Sequence, residues 1–174
     1  MTKLGLVLGV LAACGGGGSQ GDPDAGNVGQ SCSSSSDSCT GDTVCISNQC
    51  QSAFTRGYTI SSLALQVPTT KPDGTSWDVG GGAPDLYVVV LTDGVSVGMT
   101  GIVQDQFSAT YPNTFQVTLA STTTLDVHAF DSDVTSDDDA YLCEAKPIKA
   151  AELRARALEC QGSGYSLTFT IQPR

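Results

Sequence analysis

Acidic side chains that could bind a metal ion are concentrated in two short stretches of this sequence. Asp78 and Asp85 flank a glycine-rich segment, and Asp131, Asp133 and Asp139 follow an apolar stretch further along the chain. Two carboxylates about 5 Å apart repel each other by about 0.8 kcal/mol even at the dielectric constant of water, so five of them brought together need a counter-charge. Calcium takes six to eight oxygen ligands in irregular geometry. The spacing therefore predicts a calcium site at these five residues, provided that both stretches meet at one end of the fold.

A second interpretation of the same residues involves no metal. Asp is frequent in solvated turns, where it caps strands and keeps sheet edges soluble. This interpretation accounts for Asp137 and Asp138, which lie between the predicted ligands. It does not account for two separate stretches that both have ligand spacing, and both interpretations stay open at the level of sequence.

The elements that must position these residues are predicted to be short strands. From Tyr58 to Arg174 the apolar residues alternate with a period of two, and turn-forming Gly, Pro, Asn and Asp residues separate the apolar runs. Eight strands are predicted: 60–67, 86–91, 95–103, 107–111, 115–119, 124–130, 140–143 and 165–171. One short helix is predicted from Pro147 to Leu158. The fold class is therefore all-β, an antiparallel two-sheet β-sandwich with one short helix.

The two acidic stretches resemble the first and third calcium loops of C2 domains, the membrane-binding modules of protein kinase C and the synaptotagmins. The first reads Asp78, six residues, then Asp85-Leu86-Tyr87-Val88, and the third reads Phe130-Asp131-Ser132-Asp133, five residues, then Asp139. A looser likeness to the family's middle stretch lies at 111–115. The resemblance covers residues 58–174 and implies a C2-like β-sandwich, calcium held by the five Asp residues, and a membrane or a surface protein as partner.

Two departures from the family bear on that partner. Leu86 replaces a proline, which leaves the side chain of Asp85 unchanged. More seriously, residues 51–174 contain 7 Lys and Arg against 14 Asp and Glu, so a basic strand face is missing. Calcium binding is therefore better supported than calcium-dependent lipid binding.

The amino terminus resembles the signal peptide of a bacterial lipoprotein. One basic residue and an apolar run too short to span a bilayer lead into Leu11-Ala12-Ala13-Cys14, which is similar to a lipobox. The resemblance implies cleavage after residue 13, acylation of Cys14 by chains such as palmitate, and a glycine-rich tether over residues 14–29. Gly15 after the cysteine implies an outer-membrane, lipid-anchored location in the cell envelope. A plain secretory signal is the alternative.

Six cysteines remain after Cys14, and export permits them to form disulfides. Four lie within residues 30–51, a segment too poor in apolar residues to build its own core, so two disulfides are expected there with the pairing left open. A zinc site is disfavoured because C-x2-C spacing is missing. The segment resembles small modules of the Dickkopf amino-terminal type. The cysteines are Cys32, Cys39, Cys45, Cys50, Cys143 and Cys160, and the last two are expected to form a third bridge.

Charge and composition exclude some functions. The net charge of −10 argues against nucleic acid as a partner, since phosphate binding needs clustered cations. The chain has one histidine, His128, on a predicted strand where it alternates with apolar residues, so a Ser-His-Asp triad and an enzyme are not expected. The sequence predicts a cell-envelope lipoprotein that acts as a calcium-binding C2-like module. The alternative is a structural or adhesive surface lipoprotein that needs no metal.

Overall fold

A computed structural model describes residues 26–78, 80–133 and 137–174. The predicted signal peptide, Cys14 and the tether as far as residue 25 lie outside the described residues, so lipid anchoring stays a prediction. Among the helices of the described ranges, none has the length and apolar character that crossing a bilayer requires. Residues 26–29 lie against the Cys-rich segment, where the amide of Gly29 donates to the carbonyl of Cys50 at 2.8 Å.

The described residues form three antiparallel sheets and one short helix. A hairpin, β1–β2, is the first sheet, β10-β11-β3-β6 with β7 also paired to β3 is the second, and β5-β4-β8-β9 is the third. In chain order the elements are β1 (Thr43–Ile46), β2 (Gln49–Ser52), β3 (Arg56–Gln66), β4 (Leu86–Thr92), β5 (Val95–Met99), β6 (Ser108–Tyr111), β7 (Phe115–Leu119), β8 (Thr124–Asp131), β9 (Asp138–Pro147), α1 (Ala150–Ala155), β10 (Ala157–Gly162) and β11 (Tyr165–Pro173). The second and third sheets pack face to face, which confirms the predicted all-β sandwich.

The core lies between those two sheets and follows from the alternation in the sequence. In β11 the side chains of Leu167, Phe169 and Ile171 are buried while those between them are partly exposed. Each such side chain contributes about 1.5–3 kcal/mol when it is removed from water. A single-residue slip of register would turn this row to the solvent, so the alternation fixes which face of each strand meets the other sheet.

The Cys-rich segment, residues 30–51, packs on the sandwich rather than standing apart from it. Val44 of β1 is fully buried and belongs to the same apolar core as the strands of the sandwich. Arg154 of α1 donates from Nη1 to the carbonyls of Gly41 and Thr43 at 2.7 and 2.8 Å. The Cys-rich segment and the sandwich are therefore joined by a common core and by hydrogen bonds.

All six predicted cysteines form disulfides. Cys32 pairs with Cys45 and Cys39 with Cys50, which settles the pairing that the spacing left open. Cys143 of β9 pairs with Cys160 of β10. Because β9 belongs to one sheet and β10 to the other, the third bridge links the two sheets at one edge of the sandwich.

The predicted helix is shorter than expected. It spans Ala150–Ala155 and ends where Arg156 adopts a left-handed backbone with φ of 59°. Leu158, expected on the helix, lies in β10 instead and pairs with Phe169 of β11. Pairing with β11 satisfies backbone groups of these residues in place of another helical turn, and this long-range partner is invisible to local periodicity.

The two ends of the sandwich differ. At one end, Leu86 of β4 pairs with both Asp131 and Val103, and the amide of Ser132 donates to the carbonyl of Asp85 at 2.9 Å. We call this end, formed by the described residues of the connections 67–85, 100–107 and 132–137, the Asp end. The opposite end carries α1 and the Cys-rich segment.

Candidate metal centre

Three of the predicted ligands converge at the Asp end. One carboxylate oxygen from each of Asp78, Asp131 and Asp133 lies within 4.8 Å of the other two. Asp131 is the last residue of β8 and Asp133 follows it, whereas Asp78 lies in the connection that precedes β4. The register of β8 on β4, which sets Asp131 opposite Leu86, brings these distant parts of the chain together.

Asp131 is buried without a full set of partners. The alternation of β8 turns Leu125, Val127 and Ala129 into the core, and Asp131 occupies the next inward position with 0% of its surface exposed. Its Oδ1 accepts a hydrogen bond from the amide of Asp85 at 2.7 Å. Its Oδ2 is buried and has no hydrogen-bond donor among the described residues. A carboxylate oxygen in this position is costly unless a donor or a cation meets it.

The electrostatics of the group disfavour the ionised state in the absence of a cation. Burial raises the pKa of Asp131, and the charges of Asp133 and Asp78 raise it further, although the hydrogen bond from Asp85 opposes the shift. Burial also raises the pKa of Asp78, with additional contributions from the charges of Asp85, Asp133 and Asp105. The carboxylates thus resist ionising together, which a divalent cation would relieve.

Glycine next to the group allows one of the ligands to approach. A Cβ atom built on Gly82 would lie 2.7 Å from Oδ2 of Asp78, closer than any real contact of this kind. The predicted glycine-rich segment therefore serves the site directly, because it lets the side chain of Asp78 lie against the backbone of its own connection.

Asp85 organises the Asp end rather than joining the group of three. Its Oδ1 accepts a hydrogen bond from the amide of Asp105 at 2.9 Å, which ties the connection 100–107 to the start of β4. Sequence reasoning missed Asp105, since it has no partner at ligand spacing and lies in a stretch between two predicted strands. An Asp between two predicted strands was the available signal.

Asp139 lies away from the group. Its side chain is 76% exposed, and its Oδ1 is 3.1 Å from Nε2 of His128, whose ring stacks on Phe130 at 4.2 Å. Asp139 pairs across the strands with Phe130, on the outward face of β8, whereas Asp131 points inward. The structure therefore does not bring this predicted ligand together with the other three.

The two acids next to Asp139 have other partners. Asp137 accepts a hydrogen bond from the hydroxyl of Tyr87 at 2.5 Å and another from the amide of Asp133 at 3.3 Å. Asp138 lies opposite Asp131 in the ladder between β8 and β9 and forms an ion pair with Lys71. These contacts give both residues a role that a solvated turn alone would not require.

The stretch 111–115, which loosely resembled the middle of the family pattern, does not lie at the Asp end. It connects β6 to β7 along β3, where Tyr111 and Phe115 pair with Leu63 and Ile60. The hydroxyl of Tyr111 donates to the carbonyl of Leu86 at 3.0 Å inside the core. The middle connection of the Asp end is instead 100–107.

No protein-family model matches this chain, and no curated protein matches it either. Several solved structures do match this chain. One described as the structure of a C2 domain matches at 18% identity over 68% of this chain and 97% of its own, with a TM-score of 0.52. A C2 domain of a plant extended synaptotagmin 1 matches at 10% identity over 69% and 95% of the two chains, with a TM-score of 0.53. The chain has the fold of a C2 domain.

A third match fits the same conclusion. The human GIVD cytosolic phospholipase A2 matches at 18% identity over 69% of this chain but only 17% of its own, with a TM-score of 0.54. That likeness concerns the C2 domain of the enzyme. In this C2 fold, the Asp end is built by three connections, and the Cys-rich segment is attached at the other end.

Proposed function

We propose that this protein is a calcium-binding C2-type module held at the cell envelope by an amino-terminal lipid anchor. The observation that carries the proposal of calcium binding is the buried Oδ2 of Asp131, which has no donor among the described residues and belongs to a group of three carboxylates within 4.8 Å. A divalent cation at this position would meet that oxygen and reduce the repulsion within the group.

The donor set favours calcium over other divalent ions. Asp78, Asp131 and Asp133 offer hard carboxylate oxygens from three separate positions of the chain. Magnesium demands near-ideal octahedral geometry, and zinc prefers nitrogen and sulfur ligands, whereas calcium accepts irregular sets of oxygens. All six cysteines of the described chain are in disulfides, and His128 faces Asp139 on the outward side of β8.

Thermal unfolding during a calcium titration tests this proposal. Bound calcium stabilises the folded state by mass action, so we expect the midpoint of the wild-type protein to rise as calcium increases to a few millimolar. The double variant Asp131→Asn with Asp133→Asn should lose this rise. Glu159→Gln, which removes a carboxylate from β10, serves as the control and should retain it. A wild-type midpoint that does not change with calcium contradicts the proposal.

The lipid anchor is tested separately. We expect the mature protein to fractionate with membranes and to incorporate labelled palmitate, and Cys14→Ala should lose both properties. Replacing Gly15 by Asp should move the protein from outer-membrane to inner-membrane fractions on a density gradient. Retention of Cys14→Ala in the membrane fraction would show that another feature holds the protein there.

A second candidate function is a metal-independent adhesive module. The edge strand β5 exposes apolar side chains without a neighbouring charge on the strand, with Val95 at 68% and Met99 at 54% exposure. Binding to a surface protein through this edge should persist in chelator and should be lost on Val95→Lys with Met99→Lys. Binding that requires calcium, and that Asp131→Asn abolishes, favours the calcium-binding module instead.

A further inference from the structure

A lysine lies beside the group of three carboxylates and has no counterpart in the spacing pattern that predicted the site. Lys71 belongs to the connection between β3 and β4, and its ammonium group forms an ion pair with Asp138 of β9. Asp138 is the cross-strand neighbour of Asp131. The lysine charge is therefore held next to the buried carboxylate through a single intervening residue.

The position of Lys71 is determined by its local structure. The amide of Lys71 donates to the carbonyl of Thr75 at 2.8 Å, and the amide of Gly74 donates back to the carbonyl of Lys71 at 2.9 Å, which closes a tight turn. Asp73 fastens this turn by accepting hydrogen bonds from the amide and the hydroxyl of Thr75. The turn 71–75 thus fixes where the lysine side chain begins.

The end of the side chain is also held in place. The Nζ atom lies 5.7 Å from the centroid of the Trp77 ring, within the range of a cation–π contact. Trp77 is 3% exposed, and its Nε1 donates to the carbonyl of Pro68 at 2.9 Å. Since 20% of the Lys71 side chain is exposed, its charge is only partly screened by water.

We propose that Lys71 is a resident counter-charge that competes with a divalent cation at the group formed by Asp78, Asp131 and Asp133. The inference rests on the proposed calcium site and specifies how its affinity is set. Without metal, the ammonium offsets part of the negative charge that the group concentrates. When calcium binds, the two positive charges repel, and Lys71 weakens binding.

Electrostatic coupling between Lys71 and the group supports this competition. The lysine lowers the pKa values of Asp78 and Asp131 against the larger effect of burial. In return, the hydrogen bond that Lys71 donates to Asp138 and the charges of Asp138, Asp131 and Asp133 raise the pKa of Lys71 against the opposing effect of burial. Each side thus stabilises the charged form of the other, which is the behaviour of a counter-ion.

Calcium affinity measured by isothermal titration calorimetry tests the proposal. Removal of a single charge about 8 Å from a divalent ion in water corresponds to about a fivefold change in affinity. We therefore expect Lys71→Met to bind calcium about fivefold more tightly than the wild type at low salt, and Lys71→Arg to bind as the wild type does. Lys149→Met removes the same charge beside α1, at the opposite end, and should change the affinity little.

Salt separates an electrostatic role from a structural one. Because salt screens the repulsion, the gain in affinity of Lys71→Met should shrink as the salt concentration rises from about 0.01 M to about 1 M. A gain that is independent of salt, or equal affinities of Lys71→Met and the wild type, would overturn the proposed competition. Unchanged near-ultraviolet circular dichroism verifies that each variant is folded.

The outcomes distinguish this inference from the calcium site itself. If the wild type binds calcium and Lys71→Met binds it equally well, the site stands and the role of Lys71 is refuted. If only Lys71→Met binds calcium, the charge of Lys71 replaces that of the metal in the wild type. The inference then holds, and the proposed calcium-binding function fails. If neither protein binds calcium, both are refuted.

Discussion

At the scale of single residues, burial turns an acidic pattern into a site. Asp131, Asp133 and Asp139 have the same side chain and lie within nine positions, yet Asp131 is fully buried while Asp139 is largely exposed. The difference comes from the strands that carry them, because Asp131 takes an inward position at the end of β8 and Asp139 an outward one on β9. The carboxylate of Asp131 is a candidate ligand because burial removes it from water, whereas that of Asp139 stays solvated.

The raised pKa of Asp131 predicts how the metal-free protein responds to pH. An acid whose pKa is higher in the folded state contributes stability below its unfolded value of about 3.9, and this contribution is lost as the pH rises through the folded value. Burial is the main cause of the shift. In chelator at pH 7 we therefore expect Asp131→Asn to melt a few degrees above the wild type.

The same comparison at lower pH is the control for that prediction. The amide of the Asn side chain can donate to neighbouring carboxylates, and its oxygen can still accept from the amide of Asp85. The advantage of Asp131→Asn should shrink toward pH 4 and should reverse at pH 7 when calcium is added. A variant that is less stable than the wild type in chelator at pH 7 would contradict this account.

Gly82 gives a second prediction at this scale. A methyl group at this position would displace the side chain of Asp78, whose Oδ2 lies 2.7 Å from the position of the added Cβ. Because the atoms nearest to the added Cβ all belong to the side chain of Asp78, Gly82→Ala should weaken calcium binding severalfold and should change the melting temperature in chelator less than it changes the calcium-induced rise. Calorimetric titration beside Gly81→Ala, in the same connection, which meets no atom within 4 Å but has a positive φ, separates side-chain displacement from backbone strain.

At the scale of elements, contacts with the Cys-rich segment depend on the short helix. Arg154 of α1 donates to two carbonyls of that segment, and Arg156, just after the helix, donates from Nη2 to the carbonyl of Cys45 at 2.7 Å. The helix is only six residues long and could not persist alone in water. It is stabilised by its buried residues Ala150 and Leu153 and by what it binds.

Removal of one of these donors should measurably destabilise the protein. Arg154→Leu leaves the carbonyls of Gly41 and Thr43 without this donor, and each unsatisfied buried group costs about 1–3 kcal/mol. We expect the free energy of unfolding in urea to fall by about 1–3 kcal/mol, since one carbonyl is exposed enough to bond water. Lys149→Leu, at the start of the same helix, is the matched control. Equal stability of the two variants would indicate that the hydrogen bonds of Arg154 contribute nothing net.

At the scale of the whole molecule, charge is polarised along the sandwich. Of the seven Lys and Arg in residues 51–174, Lys71 lies at the Asp end and is paired there with Asp138. The other six lie at the start of β3, at the end of β9, on or beside α1, and after β11. They are Arg56, Lys146, Lys149, Arg154, Arg156 and Arg174. The end that would bind calcium therefore stays acidic.

This distribution of charge predicts that the Asp end has no preference for anionic lipid surfaces. Anionic headgroups attract clustered cations, and the described residues of the Asp end offer none beyond Lys71. In millimolar calcium we expect no stronger sedimentation with vesicles containing phosphatidylserine than with pure phosphatidylcholine vesicles. Lys71→Met should not lower either value. Clear preference for phosphatidylserine would show that bound calcium outweighs the acidic charge of the domain.

The start of the described chain adds a constraint on geometry. Asn27 bonds to Thr40 and Thr43 of the Cys-rich segment, at the end remote from the Asp end. If Cys14 is lipidated as proposed, the tether reaches the sandwich from that side. The Asp end is then directed away from the anchoring lipid whenever the tether is extended, and its partner would approach from the opposite side.

Local pattern alone determined a large part of this protein. The period-two alternation predicted eight of the nine sandwich strands, because a half-buried strand must alternate whatever its partners are. It gave the observed bounds for β7, Phe115–Leu119, but only four of the ten residues of β9, and it missed β10. Asp spacing identified Asp78, Asp131 and Asp133 as neighbours for a related reason, since strand ends fix the positions of the residues that follow them. Cysteine number and composition predicted the disulfides, including the bridge between Cys143 and Cys160, but not the pairing within residues 30–51.

The tertiary structure decided whatever depends on contacts between distant residues. β10 replaced the end of the predicted helix because β11 supplied a partner. Asp139 faces outward because β9 sets it opposite Phe130. Lys71 contacts Asp138, which lies 67 positions away in the chain. Tertiary contacts determine which side chains are buried, which charges are neighbours and which oxygens lack a donor. They arise only when the sheets have closed, so a one-dimensional pattern does not contain them.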